Sequence, residues 1–393
     1  MGGSQLLRGL TVNKVTSMRG MNLAMRRVVA WMCSTISLLA CAPAHDPHRT
    51  IYEGAGIRVP ADFGCWHDVG YVVNWPKVNG QDLYYGPDPA FRVRANRVRL
   101  FGMNGLEWNH TEKSAGEFDW IWWDAAFDKL RATGVKHVTL NLYNPPAFAA
   151  RRPHDYGGWR MQLPRDRAML ERWLSAVTTR YAEIDAIEVA NEVFTPKIGD
   201  AKSYFMGSEA DLIVLSNWVL DWRGNNQWRG HVWAPSIPGV GDNVTAMLAW
   251  LRGYPRAKEF DAFPLHLYHL LPDAVGQPMG RATAWTALVE YREGLAALGL
   301  GPMIDSEKGF RPGDVKAGTL YNYAVAALLQ GVRQTCFFSL GSYGRDETNI
   351  GQPFQNAWAK DDLEALAALA GRVITKVVAT PDGRWVVSTL PTQ

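Results

Sequence analysis

Eight short runs rich in β-branched and aromatic residues recur along this chain, and amphipathic stretches of helical length separate most of them. The runs are Ile57–Cys65, Arg97–Gly102, His137–Leu142, Ala186–Ala190, His231–Ala234, Ala262–Leu267, Pro302–Asp305 and Thr335–Leu340. Between them lie Trp120–Thr133, Asp166–Tyr181, Ser208–Trp222, Asn243–Arg252, Thr283–Leu298 and Gly318–Gln330. Apolar residues there recur at helical spacing, as in Leu320, Tyr323, Ala324 and Leu328. Gly134 and Gly299 stand just past two helix ends, where a left-handed cap is wanted. Strand and helix alternating about eight times predict an α/β fold, a single-domain (β/α)8 TIM barrel. The first unit departs from the pattern, with a Gly-, Pro- and Tyr-rich loop over residues 66–96 in place of a helix. A last helix, Leu363–Val373, is followed by a short strand-like tail, Gly383–Thr389. The expected organisation is a leader over 1–40, a tether over 41–50, the barrel over 51–375 and a C-terminal tail over 376–393.

The leader changes how the charge is read. All five cations of residues 1–40 (Arg8, Lys14, Arg19, Arg26 and Arg27) lack acidic company, so 36 of the 41 basic residues remain against 38 acidic ones. A mildly acidic body without a basic, aromatic-interleaved run is not a nucleic-acid binder. Arg26-Arg27 followed by the apolar stretch Val28–Ala40 reads as an export signal, too short to span a bilayer. Leu38-Leu39-Ala40-Cys41 resembles a bacterial lipobox, so the expected location is outside the cytoplasm, as an outer-membrane lipoprotein or in the periplasm. On that reading the membrane is reached only through a lipid on Cys41; cleavage near Ala42 or Ala44 as an ordinary secretory signal is the alternative. Cys65 and Cys336 remain in the body. They would lie on the neighbouring first and last strands, where a bridge is conceivable and buried free thiols are the favoured reading.

In a barrel of this kind function collects at the carboxyl ends of the strands. Those ends carry Arg99, Asn144, Asn191-Glu192, Ser236, His266, Tyr268 and Glu307. Two β-rich runs, on strands four and seven, end in a carboxylate, and their ends face each other across the mouth. Such a pair suits retaining glycosidic cleavage, where one carboxyl protonates the leaving oxygen and the other attacks the anomeric carbon. Glu188 and Asp305 sit two residues earlier on the same runs and read as buried structural partners.

The strand-four Asn-Glu, the strand-six His-x-Tyr and the strand-seven Glu resemble the clan A glycoside hydrolases. The order of Arg97–Gly102, Phe118-Asp119-Trp120 and Leu140–Ala147 is similar to glycoside hydrolase family 39, over roughly residues 57–345. The resemblance implies an oligo- or polysaccharide substrate and no metal or organic cofactor. It also implies Glu192 as acid/base, Glu307 as nucleophile and Asn191 on the sugar 2-hydroxyl. Tyr268 and Arg99 would keep Glu307 ionised, and His266 would line the subsite of cleavage. The chain differs from the family pattern at Ala190, Val193, Phe101 and Phe338, so xylose specificity does not follow.

Trp66, Trp75, Trp108 and Trp159 fall in loops at the expected mouth and are candidate sugar-stacking platforms; Phe338, Tyr343 and Trp358 are others. Trp122 and Trp123 lie within a helical pattern and read as packing. Two readings compete with an exo-glycosidase: an endo-acting hydrolase of exopolysaccharide, hemicellulose or mannan, and a non-catalytic glycan-binding surface lipoprotein.

Overall fold

The computed structural model describes residues 49–68, 96–100, 107–132, 134–152, 160–194, 198, 204–239, 241–268, 270–272, 278–280, 282–309, 317–338 and 357–391. The export signal and Cys41 lie outside these residues, as do Phe101, Trp75, Trp159 and Tyr343; Trp66, Phe338 and Trp358 are described in their backbone alone.

Among the described residues the first elements are β1 (Thr50–Arg58), β2 (Cys65–Asp68) and β3 (Arg97–Leu100). A one-turn helix α1 (Trp108–Thr111) and a small hairpin, β4 (Glu112–Ser114) with β5 (Glu117–Phe118), precede α2 (Ile121–Ala132) and β6 (His137–Asn141). Alternation continues through α3 (Arg167–Arg180), β7 (Ile184–Glu188), α4 (Glu209–Asn225), β8 (His231–Trp233), β9 (Ile237–Pro238), α5 (Gly241–Gly253) and β10 (Phe263–His266). After the hairpin β11 (Leu270–Pro272) and β12 (Pro278–Gly280) come α6 (Ala282–Ala297), β13 (Met303–Lys308), α7 (Thr319–Leu329), β14 (Val332–Phe338) and α8 (Ala357–Leu369). Two strands close the chain, β15 (Arg372–Ala379) and β16 (Trp385–Pro391).

Nine strands form one parallel sheet in the order β8-β7-β6-β3-β2-β14-β13-β10-β9. At one end of this order β8 also meets the residue just before β10, through a parallel bridge between Trp233 and Ala262 and the bond from Ala234 N–H to Ala262 O at 2.9 Å. Runs such as Arg97–Leu100, Phe263–His266 and Met303–Lys308 are buried at every position, the signature of parallel strands covered on both faces. Local sequence sets the helix starts. Asp166 caps α3 through Ala168 N–H, and Ser208 with Asp211 forms a reciprocal capping box on α4. Gly134 and Gly299, at φ of 81° and 66°, follow α2 and α6 as expected. Trp123 is fully buried among Phe127, Trp173 and Tyr181, which bears out its packing role. Among the described residues no helix is long and apolar enough to cross a membrane.

Three expectations change. The run Ile57–Cys65 is not one strand: its start belongs to β1, and only Cys65 enters the parallel sheet. Pro60 and a left-handed Gly64 (φ 91°) turn the chain between them. The last helix stops at Leu369 rather than Val373, because Gly371 (φ 72°) breaks it and the β-branched run that follows forms β15. The strand-like tail is thereby joined to the start of the chain, in a three-stranded antiparallel sheet ordered β1-β15-β16. Third, Cys65 and Cys336 are bonded to each other, not free thiols. They pair in register on adjacent strands with Cα atoms 4.3 Å apart, close enough for a bridge.

Candidate active site

Arg99, at the third position of β3, is wholly buried and organises the floor of the site. Its guanidinium grips Glu188 with two parallel bonds, Nε to Oε2 at 2.8 Å and Nη2 to Oε1 at 2.6 Å. Nη2 also donates to Asn191 Oδ1 at 2.8 Å, and Nη1 to Glu307 Oε2 at 3.1 Å. Burial alone would push the Glu188 carboxyl up; Arg99 overrides it and holds the group below its ordinary value. Asn141 adds a donor to the same carboxylate at 3.0 Å. Glu188 is thus the structural partner that its place on the strand suggested.

Glu307 accepts from Arg99 on Oε2 and from the Tyr268 hydroxyl on Oε1. Burial raises its carboxyl above the ordinary value; His266, Arg99 and the Tyr268 hydroxyl oppose that rise, and Glu192 adds to it. Its direction owes much to an irregularity. Asp305 pairs with Thr335 and Lys308 with Phe337, so three residues of β13 oppose two of β14. The extra residue breaks strict alternation and re-aims side chains, as bulges beside functional sites do. Ser306 reaches His266 and Glu307 reaches Arg99, while Asp305 contacts Tyr323 of α7 and Lys308 lies over the Tyr323 ring.

Glu192 lies four residues past the end of β7, with φ of 42°, a left-handed conformation that an ordinary side chain rarely adopts. Ser236 holds this turn. Its hydroxyl accepts from Glu192 N–H at 3.1 Å, its N–H donates to Ala190 O at 2.9 Å, and its carbonyl accepts from Val193 N–H at 3.1 Å. Strain at a site residue, fixed by its surroundings, is a mark of function.

His266 sits beneath the pair. Nδ1 meets Glu192 Oε1 at 2.8 Å and lies 3.9 Å from Glu307 Oε2, while Nε2 meets Ser306 Oγ at 3.1 Å. Burial would lower this imidazole, but the fields of Glu307 and Glu192 outweigh burial and raise it. One ligand atom each from Glu192, His266 and Glu307 all lie within 4.8 Å of one another, so the trio could also hold a metal ion.

Arg99, Asn191, Glu192, Tyr268 and Glu307 therefore come together as the sequence suggested. Two others do not. His266 is closed off with both nitrogens engaged, so it acts on Glu192 rather than lining a sugar subsite. Trp108 is no stacking platform: α1 buries it against Trp173, ring centroids 5.2 Å apart, with Nε1 donating to Glu112 Oε2 at 2.6 Å. A tryptophan on a loop and one on a single helical turn look alike in sequence. Asn144, left-handed at φ 38°, bonds Glu107 Oε2 at 2.8 Å and accepts from Arg160 N–H at 3.0 Å, so it braces the wall. Sequence reasoning missed Ser306, whose inward direction depends on the bulge, and Glu107, whose carboxyl burial raises to about 7. Ser236 was legible as a strand end but not as a clamp.

No family model matches this chain, and no curated protein does. Among solved structures the chain is similar to a GH10 xylanase from Bispora sp. MEY-1 with xylobiose, at 13% identity and a TM-score of 0.50, over 77% of this chain and 96% of that one. It is similar also to the endo-1,4-beta-xylanase XylE of Penicillium canescens, at 11% identity and a TM-score of 0.50, over 77% and 94%. At these identities the likeness is one of fold.

Proposed function

We propose that this chain is a (β/α)8-barrel glycoside hydrolase that cleaves a poly- or oligosaccharide with retention of configuration. The observation that carries the reading is the pair of carboxyls, with one oxygen of Glu192 and one of Glu307 within 4.8 Å. Retaining cleavage needs its two carboxyl groups about 5–5.5 Å apart, whereas inversion needs about 6.5–9.5 Å to admit a water. The parallel sheet, the bridge from β8 to Ala262 just before β10 and the fold shared with two xylanases support the barrel.

The surroundings of the pair support one division of roles. Glu307, with a donor on each oxygen, is the nucleophile: its Oε attacks the anomeric carbon as the bond to the leaving oxygen breaks. Glu192, held on one oxygen by His266, gives its proton to that leaving oxygen. In the second half Glu192 takes a proton from water, whose oxygen displaces Glu307 from the anomeric carbon. Arg99 fixes the Asn191 amide by its oxygen, leaving the NH2 to donate to a sugar hydroxyl. These steps call on no metal or organic cofactor. The order of Arg97–Gly102, Phe118-Asp119-Trp120 and Leu140–Ala147 supports family 39 within this class, and cleavage inside a polymer is favoured by the likeness to an endo-acting xylanase. Export with a lipid on Cys41 belongs to the same reading. The Cys65–Cys336 bond supports it, since such bonds persist in oxidising compartments.

The test is reducing-end release from aryl glycosides and from plant and bacterial polysaccharides, with Glu307→Gln as control. Release by the wild type alone is expected; equal glycan binding by both proteins without release would make this a binding protein. Glu307→Ala should regain turnover with azide and give a product of inverted configuration, and that outcome at Glu192 instead would exchange the roles. Cys41→Ser should free the protein from membranes, and unchanged partitioning would refute the anchor.

A further inference from the structure

A cavity of about 210 Å³ is lined by Arg151, Arg152, Gln162, Leu163, Met206 and Asp211. Its place follows from two short segments that run side by side. Met161 bridges Phe205 in parallel; Met161 N–H donates to Tyr204 O at 2.8 Å, and Met206 N–H to Met161 O at 2.8 Å. At their near end are Arg160, tied to Asn144 at the carboxyl side of β6, and Tyr204. Asn144 N–H donates in turn to Arg160 O at 3.3 Å, which anchors this end just past the carboxyl end of β6, and the Tyr204 hydroxyl is raised by burial and by the fields of Glu192 and Glu307. Gln162 and Met206 stand two residues further on, about 7 Å along an extended chain.

The lining is chemically one-sided. Gln162 is only 3% exposed, and its Oε1 accepts from Arg152 N–H at 2.7 Å. The Gln162 NH2 and the Arg152 guanidinium have no partner among the described residues. Arg151 is held by Asp211 Oδ1 at 2.6 Å, and the other oxygen of Asp211 is taken by the cap of α4. Two guanidinium groups and an amide donor thus face a single, fully committed carboxylate, beside the apolar side chains of Leu163 and Met206. The volume equals roughly seven waters, room for one ring-sized group.

We propose that this cavity is a subsite for a carboxylate-bearing sugar, a uronic acid residue of the bound glycan, with Arg152 as its principal anchor. The planar guanidinium fork matches a carboxylate, and Leu163 and Met206 suit the apolar face of the ring. The inference rests on the glycosidase reading and names the substrate class of that site as an anionic glycan.

Titration calorimetry of full-chain Glu307→Gln protein, with a glucuronate-bearing xylo-oligosaccharide and the same oligosaccharide after carboxyl reduction, tests it. The acidic form should bind at least tenfold more tightly, a preference that weakens with salt. Arg152→Gln should weaken the acidic ligand by about ten- to a hundredfold, the scale of one charge-assisted bond, and leave the reduced one unchanged. Arg152→Lys should keep part of the preference. Equal binding of the two ligands, or a preference that survives Arg152→Gln, would overturn the proposal. Wild-type protein that releases reducing ends from neutral glycans as well as from acidic ones would refute the subsite and leave the glycosidase. Arg152-dependent binding without release from any glycan would keep the subsite and refute the glycosidase.

Discussion

Replacing Arg99 with Lys keeps the buried positive charge and removes the fork. The guanidinium donates twice to Glu188 and once each to Asn191 and Glu307, at 2.6–3.1 Å. A single ammonium cannot reach all three partners, so at least two of these bonds are lost. Charge-assisted bonds contribute about 1.5–3 kcal/mol each, and breaking a buried pair costs about 3–5 kcal/mol. Arg99→Lys should therefore lower unfolding free energy by about 3–5 kcal/mol, a large part of the roughly 5–15 kcal/mol that a folded domain holds. Urea unfolding followed by tryptophan fluorescence measures this. A cycle with Glu188→Gln should show a coupling of at least about 1.5 kcal/mol, because the two residues act as one unit. Because Arg99 also aims Glu307, kcat/KM should fall at least about a hundredfold, close to 3 kcal/mol of transition-state stabilisation. A loss of stability under about 1 kcal/mol, or additive single substitutions, would refute the claim that Arg99 organises the floor.

Cys336→Ser opens a link between residues 271 positions apart, which by chain entropy contributes up to about 5 kcal/mol; a thermal midpoint unchanged from the wild type would contradict the bond. Trp108→Ala should destabilise by about 3–5 kcal/mol, as loss of a large core side chain does, and leave KM unaltered; raised KM at unchanged stability would return Trp108 to the substrate. Asp305 has a pH signature. Burial raises its carboxyl to about 7, so the folded state holds this proton more tightly than the unfolded one. The stability it contributes is full below the ordinary carboxylate range and is lost as pH climbs from about 4 to 7. Asp305→Asn should shrink the fall in urea midpoint over that span, and an unchanged profile would contradict the assignment.

Much of the sheet was legible because buried parallel strands are written as nearly continuous apolar runs, and Gly134 and Gly299 punctuate the helices. The first strand was not, because Ile57–Cys65 reads as one β-rich run and the turn at Pro60–Gly64 leaves only a weak trace. The tail misled for a related reason: α8 and β15 are separated by Ala370 and Gly371 alone, and one partner of β15 is β1, far back in the sequence. In the site, residue types at strand ends identified Glu192, Glu307, Arg99 and Tyr268. Simple alternation would have placed Asp305 and Glu307 on one face, and the bulge in β13 instead turns Ser306 inward and Asp305 toward α7. Burial decided the rest, since nothing in sequence distinguishes a His that touches sugar from one locked between Glu192 and Ser306.

The central claim is double displacement by Glu192 and Glu307, and the anomeric configuration of the first product tests it most directly. Proton NMR on a glycan that the wild type cleaves, recorded before the sugar equilibrates, reads that configuration. The account predicts the configuration of the substrate, and a first product of opposite configuration would contradict it.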